Sequence, residues 1–74
     1  MAEKITYDVV EHIGTVPTNS AWEVQINSIS WNHAPAKYDI RKWNSETDKM
    51  SKGISLTEDE LRGVYEILKE MYED

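Results

Sequence analysis

The chain predicts an α+β fold, four strands followed by one C-terminal amphipathic helix that covers one sheet face, and three observations lead there. Up to Leu56 the sequence alternates apolar and polar residues with a period of two, in short runs parted by turn residues. The remainder switches to a helical period behind an N-terminal capping signal. No helical run lies between the strands, which excludes a βαβ layout.

The first strand runs from Ile5 to Val16, with Ile5, Tyr7, Val9 and Ile13 on one face and Lys4, Thr6, Asp8 and His12 on the other; Glu11 interrupts the apolar row. Pro17-Thr18-Asn19-Ser20 breaks it. The second strand, Ala21 to Asn32, places Trp22, Val24 and Ile26 on one face and Glu23, Gln25, Asn27, Ile29 and Trp31 on the other. Ile29 and Trp31 are apolar on an otherwise polar face, so either a bulge flips the register or that face is a binding surface.

His33-Ala34-Pro35 forms the turn into a third strand, residues 36–44, antiparallel to the second, so that Trp31 and Trp43 can share a face. A polar connection, Asn44 to Ser51, leads to a short strand, Gly53-Ile54-Ser55-Leu56. Thr57-Glu58-Asp59-Glu60 is a capping box, with Leu56 and Leu61 as its hydrophobic staple, and the three acids complement the positive end of the helix dipole. Leu61, Val64, Tyr65, Leu68, Met71 and Tyr72 then recur at helical spacing as one apolar stripe.

Seventy-four residues make a single domain, 1–74, near the size at which one hydrophobic core leaves little stability to spare. Cysteine is absent, so disulfides are excluded, and His12 and His33 have no zinc-ligand spacing. Dimerisation is the remaining device, and a homodimer is expected. The start, Met1-Ala2-Glu3-Lys4, leads into the first strand without a signal-peptide core, and no apolar run is long enough to cross a bilayer. A cytoplasmic protein, free or on the nucleoid, is expected, with no membrane partner.

The net charge of -6 disfavours a nucleic-acid binder at first sight, but the charge is unevenly spread. Residues 1–36 carry -3, residues 37–53 carry +2 and residues 54–74 carry -5. The basic segment contains Lys37-Tyr38-Asp39-Ile40-Arg41-Lys42-Trp43. Alternation places Lys37, Arg41 and Trp43 on one face of this strand and Tyr38 and Ile40, with the character of a core, on the other. Two cations beside a large ring suit a flexible polyanion with stackable bases. Asp39 shares that face and would repel phosphate unless it pairs with Arg41 two residues along, where it would position the guanidinium, or with a lysine on the neighbouring strand.

Two segments resemble a known family: Tyr38-Asp39-Ile40-Arg41-Lys42-Trp43, and, after a polar loop with Lys49, Lys52-Gly53-Ile54-Ser55-Leu56-Thr57 opening a helix. They are similar to the C-terminal domain of the eukaryotic transcriptional coactivator positive cofactor four, and more closely to the small bacterial YdbC-like proteins. The resemblance implies a four-stranded, strongly curved antiparallel sheet with a C-terminal helix, in a homodimer whose sheets present paired grooves to single-stranded DNA. By direct match it implies Arg41, Trp43 and Lys52 as nucleic-acid-binding residues, and Lys49 lies in the same stretch. The aromatic that the family carries on its second strand falls nearest to Trp31, residue 29 being Ile. The second strand here is less basic than the family's and the helix very acidic, which implies weaker or more salt-sensitive binding. The DNA-binding domain carries over; the coactivator role does not.

The expected function is therefore single-stranded DNA binding of low sequence specificity, with RNA as another ligand for the same surface, through Lys37, Arg41, Trp43, Lys52, Lys49 and Trp31. Each residue also has a plainer reading: Trp43 as a ring over a core edge, Trp31 as core or dimer packing, and the lysines as a solvated face. The competing class is a protein-interaction module, anchored by exposed Trp31 and Trp43 with the acidic helix as docking surface. No nucleophile motif, glycine-rich phosphate loop or metal spacing supports an enzyme, and no cofactor or small-molecule substrate is expected.

Overall fold

The computed structural model describes residues 6–73; Lys4 and Ile5, assigned above to the first strand, lie outside the described residues. Four strands, β1 (Tyr7–Val16), β2 (Trp22–Trp31), β3 (Lys37–Asn44) and β4 (Met50–Leu56), form one antiparallel sheet in the order β1-β2-β3-β4, and helix α1 (Glu58–Tyr72) follows. The connections after β2, β3 and β4 have local causes. Asn32 and His33 both take positive φ, 51° and 66°, and Ala34 N–H bonds Trp31 O at 2.9 Å, a two-residue turn whose twist matches the strands it joins. Between β3 and β4 the Asn44 Oδ1 accepts from the amides of Glu46 and Thr47, at 2.9 and 3.1 Å. Thr57 caps α1 through both halves of the capping box.

The β2–β3 register is continuous from Trp22↔Asn44 to Ile29↔Lys37, so no bulge turns Ile29 and Trp31 away from the face of Glu23, Gln25 and Asn27. The irregularities are on β1 instead. Register shifts between Val9 and Glu11 and between His12 and Gly14 insert Val10 and Ile13 as extra residues. The alternation expected for β1 is therefore broken. His12, paired with Asn27, falls on the face of Tyr7 and Val9, while Ile13 falls on the side of the helix. The sign in the sequence was Glu11, the polar residue interrupting the apolar row.

The sheet curls strongly. Trp31 lies six residues along β2 from Gln25, the partner of Arg41, about 20 Å in a flat sheet, yet the Arg41 Cζ is 4.8 Å from the Trp31 ring centroid. Tyr7, paired with Trp31, likewise comes within 6.1 Å of Trp43, which pairs with Glu23. Only bending toward the face that carries these side chains brings its ends together. That inner face holds the most enclosed residues: Ile29 and Asp39 are 0% exposed and Asn27 1%.

The sequence led to the opposite expectation, a core on the face of Trp22, Val24, Ile26, Tyr38 and Ile40. Those residues are only half-buried, because α1 touches this outer face along β3 and β4 alone. Ile13, Ile26, Ile40, Leu61, Val64, Tyr65 and Leu68 line an apolar groove of about 300 Å³ between sheet and helix. No helix among the described residues is long and apolar enough to cross a membrane.

Candidate nucleic-acid interface

Parity along β3 sets Lys37, Asp39, Arg41 and Trp43 on the inner face, with Trp31 and Tyr7 joining them from β2 and β1. Asp39 grips Arg41 with both oxygens: Nε donates to Oδ2 and Nη2 to Oδ1, each at 2.6 Å. A fork on a fully enclosed carboxylate fixes the plane of the guanidinium as well as its position. Ser55 Oγ donates to the same Oδ1 at 3.2 Å, and Arg41 Nη1 reaches Ser51 O at 3.4 Å. The guanidinium thus lies over Trp31, a cation–π contact worth about 1–2 kcal/mol where partly desolvated.

Gly53, the register partner of Arg41, makes this possible. A Cβ at residue 53 would stand 2.3 Å from the Arg41 Cβ and 2.6 Å from the Ile40 carbonyl oxygen. The glycine of the Lys-Gly-Ile-Ser-Leu run is thus the space into which Arg41 folds.

The aromatic rings form a cluster. Tyr7 is 5.4 Å from Trp31 and 6.1 Å from Trp43 by ring centroids, tilted at 42° and 58°. Neither tryptophan stands out from the surface; both are half-buried, and both indole Nε1 atoms are enclosed without a hydrogen-bond partner. An unpaired enclosed donor costs about 1–3 kcal/mol, so the cluster lacks the polar satisfaction of a finished core.

The six residues singled out in the sequence are not equally assembled. Arg41, Trp43 and Trp31 come together, and Lys37 lies exposed at the end of their row, opposite Ile29. Lys49 is exposed in the β3–β4 connection, its carbonyl bonded by Asn44 N–H at 2.7 Å. Lys52 is exposed at a register shift in β4, one position before Gly53 and out of step with the Asp39–Arg41–Trp43 row. Among the described residues none of these three lysines forms an ion pair.

Sequence reasoning missed Tyr7 as part of this cluster, and it missed a polar ladder beside it. Glu23, Gln25, Asn27 and His12 are joined end to end by side-chain hydrogen bonds on the same inner face. Only the three β2 members were visible in the sequence, as a polar row.

A relative described as an uncharacterized protein, from Treponema pallidum (strain Nichols), is 41% identical over 66 residues, covering 88% of this chain and 78% of its own length. The family model described as Transcriptional Coactivator p15 (PC4) matches residues 18–67, which span β2, β3, β4 and most of α1 and so include Arg41, Gly53 and both tryptophans of the cluster. By that match the chain belongs to the Transcriptional Coactivator p15 (PC4) family.

Proposed function

We propose that this protein is a homodimeric single-stranded DNA-binding protein of low sequence specificity, serving transcription, replication or repair in the cytoplasm or on the nucleoid by holding melted strands. The observation that carries the reading is the pairing of a plane-fixed guanidinium, Arg41, with the Trp31–Tyr7–Trp43 cluster on the sheet face away from the helix. Aromatic planes stack bases without regard to sequence, and the Arg41 guanidinium, its fork closed on Asp39, adds a fixed plane for a base to lie on. Lys37, Lys49 and Lys52 add exposed charge around it. RNA offers the same bases and phosphates to this surface.

A second copy is supported by what one copy leaves uncovered. Among the described residues the buried apolar side chains of one copy are Ile29 and Leu56, while Tyr65, Met71 and Tyr72 on α1 are 58%, 61% and 79% exposed. The radius of gyration, 14.0 Å, exceeds the roughly 11 Å of a compact chain of this length. The apolar groove beside α1 is the natural seat for a partner.

Titration of the protein with labelled oligo-dT, with a duplex control and at several salt concentrations, tests the ligand. Binding that favours the single strand and weakens steeply with salt is expected. No binding at low salt overturns the reading and favours the protein-interaction module instead, whose aromatic-anchored contact with a partner would barely respond to salt. Sedimentation at micromolar concentration is expected to give a dimer mass; a monomer mass counts against the paired grooves.

A further inference from the structure

The ladder on the inner face is closed along its length and open at one end. Gln25 Nε2 donates to Glu23 Oε2 at 2.6 Å, Asn27 Nδ2 donates to Gln25 Oε1 at 3.1 Å, and Asn27 Oδ1 faces His12 Nδ1 at 2.7 Å. At the far end the second ring nitrogen of His12 meets the Thr15 hydroxyl at 3.0 Å. Glu23 Oε1 is different. Among the described residues it accepts no hydrogen bond and joins no ion pair, and it is not one of the enclosed unpartnered atoms. It is an acceptor open to solvent, on a carboxylate that Gln25 holds in place.

Its neighbour gives that acceptor a use. Glu23 and Trp43 are register partners on β2 and β3 and share the inner face, which sets their Cβ atoms about 4.5–5.5 Å apart. On its other side Trp43 pairs with Met50 of β4, which adjoins the exposed Lys49 and lies two positions before the exposed Lys52. Trp43 thus stands between an acceptor-only group and the cationic side of the sheet. Phosphate is repelled by the first and drawn to the second. A nucleotide whose base lies on Trp43 therefore keeps its backbone toward β4 and turns the far edge of the base toward Glu23.

We propose that Glu23 is a specificity-determining residue of this face, accepting from the amino group on the Watson–Crick edge of a base stacked on Trp43, and so favouring cytosine over thymine or uracil at that position. In a pyrimidine the 4-substituent lies across the ring from the glycosidic nitrogen, so it is the group that reaches β2. A carboxylate only accepts; the 4-amino group of cytosine donates to it, whereas the 4-carbonyl oxygen of thymine or uracil sets a second acceptor against it. In a single strand that edge is free of a pairing partner. This role rests on the nucleic-acid reading of the inner face and adds a bias at one base, while the other stacking planes stay indifferent to sequence.

Labelled oligo-dC and oligo-dU, whose rings differ only at the 3- and 4-positions, test it by fluorescence anisotropy in mildly alkaline solution, which keeps cytosine unprotonated. The native protein is expected to bind oligo-dC about 5-fold more tightly, the low end for a base-edge contact because Gln25 already engages one oxygen. Glu23→Gln, whose amide can donate to a 4-carbonyl, and Glu23→Ala, which leaves no group there, are each expected to lose the preference and to bind oligo-dU more tightly than the native protein does. Equal affinity of the native protein for the two strands, with binding intact, overturns the role of Glu23 alone. A preference that survives in a Glu23 variant with native circular dichroism overturns it too. Absence of binding to either strand at low salt overturns the nucleic-acid reading beneath it.

Discussion

Arg41 and Gly53 are register partners on neighbouring strands, and the side chain of the first occupies the space a side chain on the second would need. Two of the three atoms nearest that space, the Arg41 Cβ and the Ile40 carbonyl oxygen, cannot swing aside. Gly53→Ala is therefore expected to destabilise the protein by about 1–3 kcal/mol, as overpacking does. A urea denaturation midpoint equal to or above that of the native protein would show that the strands can part at no cost.

Arg41 is also the counter-charge of an enclosed carboxylate. Removing it in Arg41→Ala leaves Asp39 with the Ser55 hydroxyl, and the expected loss is about 3–5 kcal/mol. Adding Asp39→Asn to that variant is expected to restore part of the stability. If the double variant is no more stable than Arg41→Ala, the pair is not the source of the loss. Nucleic-acid affinity of an Arg41 variant is interpretable only beside such a folding measurement.

Trp43→Ala is expected to weaken oligo-dT binding about 5- to 150-fold, the worth of one stacked base, and more than Lys37→Ala, which removes an exposed charge without a partner among the described residues. Fluorescence anisotropy with both variants checks the order, provided their circular dichroism matches the native protein. Equal affinity of the native protein and Trp43→Ala would make the ring structural.

Tyr38, on the outer face, is held neutral to higher pH than its ordinary value of 10.0, first by hydrogen bonding to the Glu58 carboxylate and then by that charge itself. The folded state binds the phenolic proton more tightly than the unfolded chain. Its contribution is therefore fully present below the ordinary value and is lost as pH rises through the elevated one. Ultraviolet difference titration of the native protein against Tyr38→Phe is expected to show this phenol ionising late, and Glu58→Gln is expected to bring it earlier. A Tyr38 transition unmoved by Glu58→Gln would remove the link between β3 and the first turn of α1.

The elements legible in the sequence were those written locally. The capping box at Thr57 and Glu60 depends on residues three apart, and α1 begins where it says. The alternation from Lys37 to Trp43 gave the faces of β3 and offered Arg41 as one of two partners for Asp39, the one the structure shows. What stayed hidden depends on how distant segments curve together. Ile29 looked misplaced on a polar row because nothing local says that the sheet bends until this face becomes the enclosed one. The contact of Arg41 with Trp31 joins residues that a flat sheet would keep far apart. β4 proved longer than its apolar run, since the register shift near Ser51 and Lys52 takes polar residues into the ladder.

The two extra residues in β1 have a consequence for how the molecule behaves in a crowded solution. β1 is an edge strand with Val9, Val10, Ile13 and Val16 each about half exposed or more, the composition of a template for aggregation. Bulges at Val10 and Ile13 break the even spacing of its free amides and carbonyls, so an incoming strand cannot zip along it. Deleting Val10 would restore plain alternation between Val9 and Glu11 and straighten that edge, so this one extra residue guards the chain against fibrillar pairing without setting the face of Tyr7 and Val9.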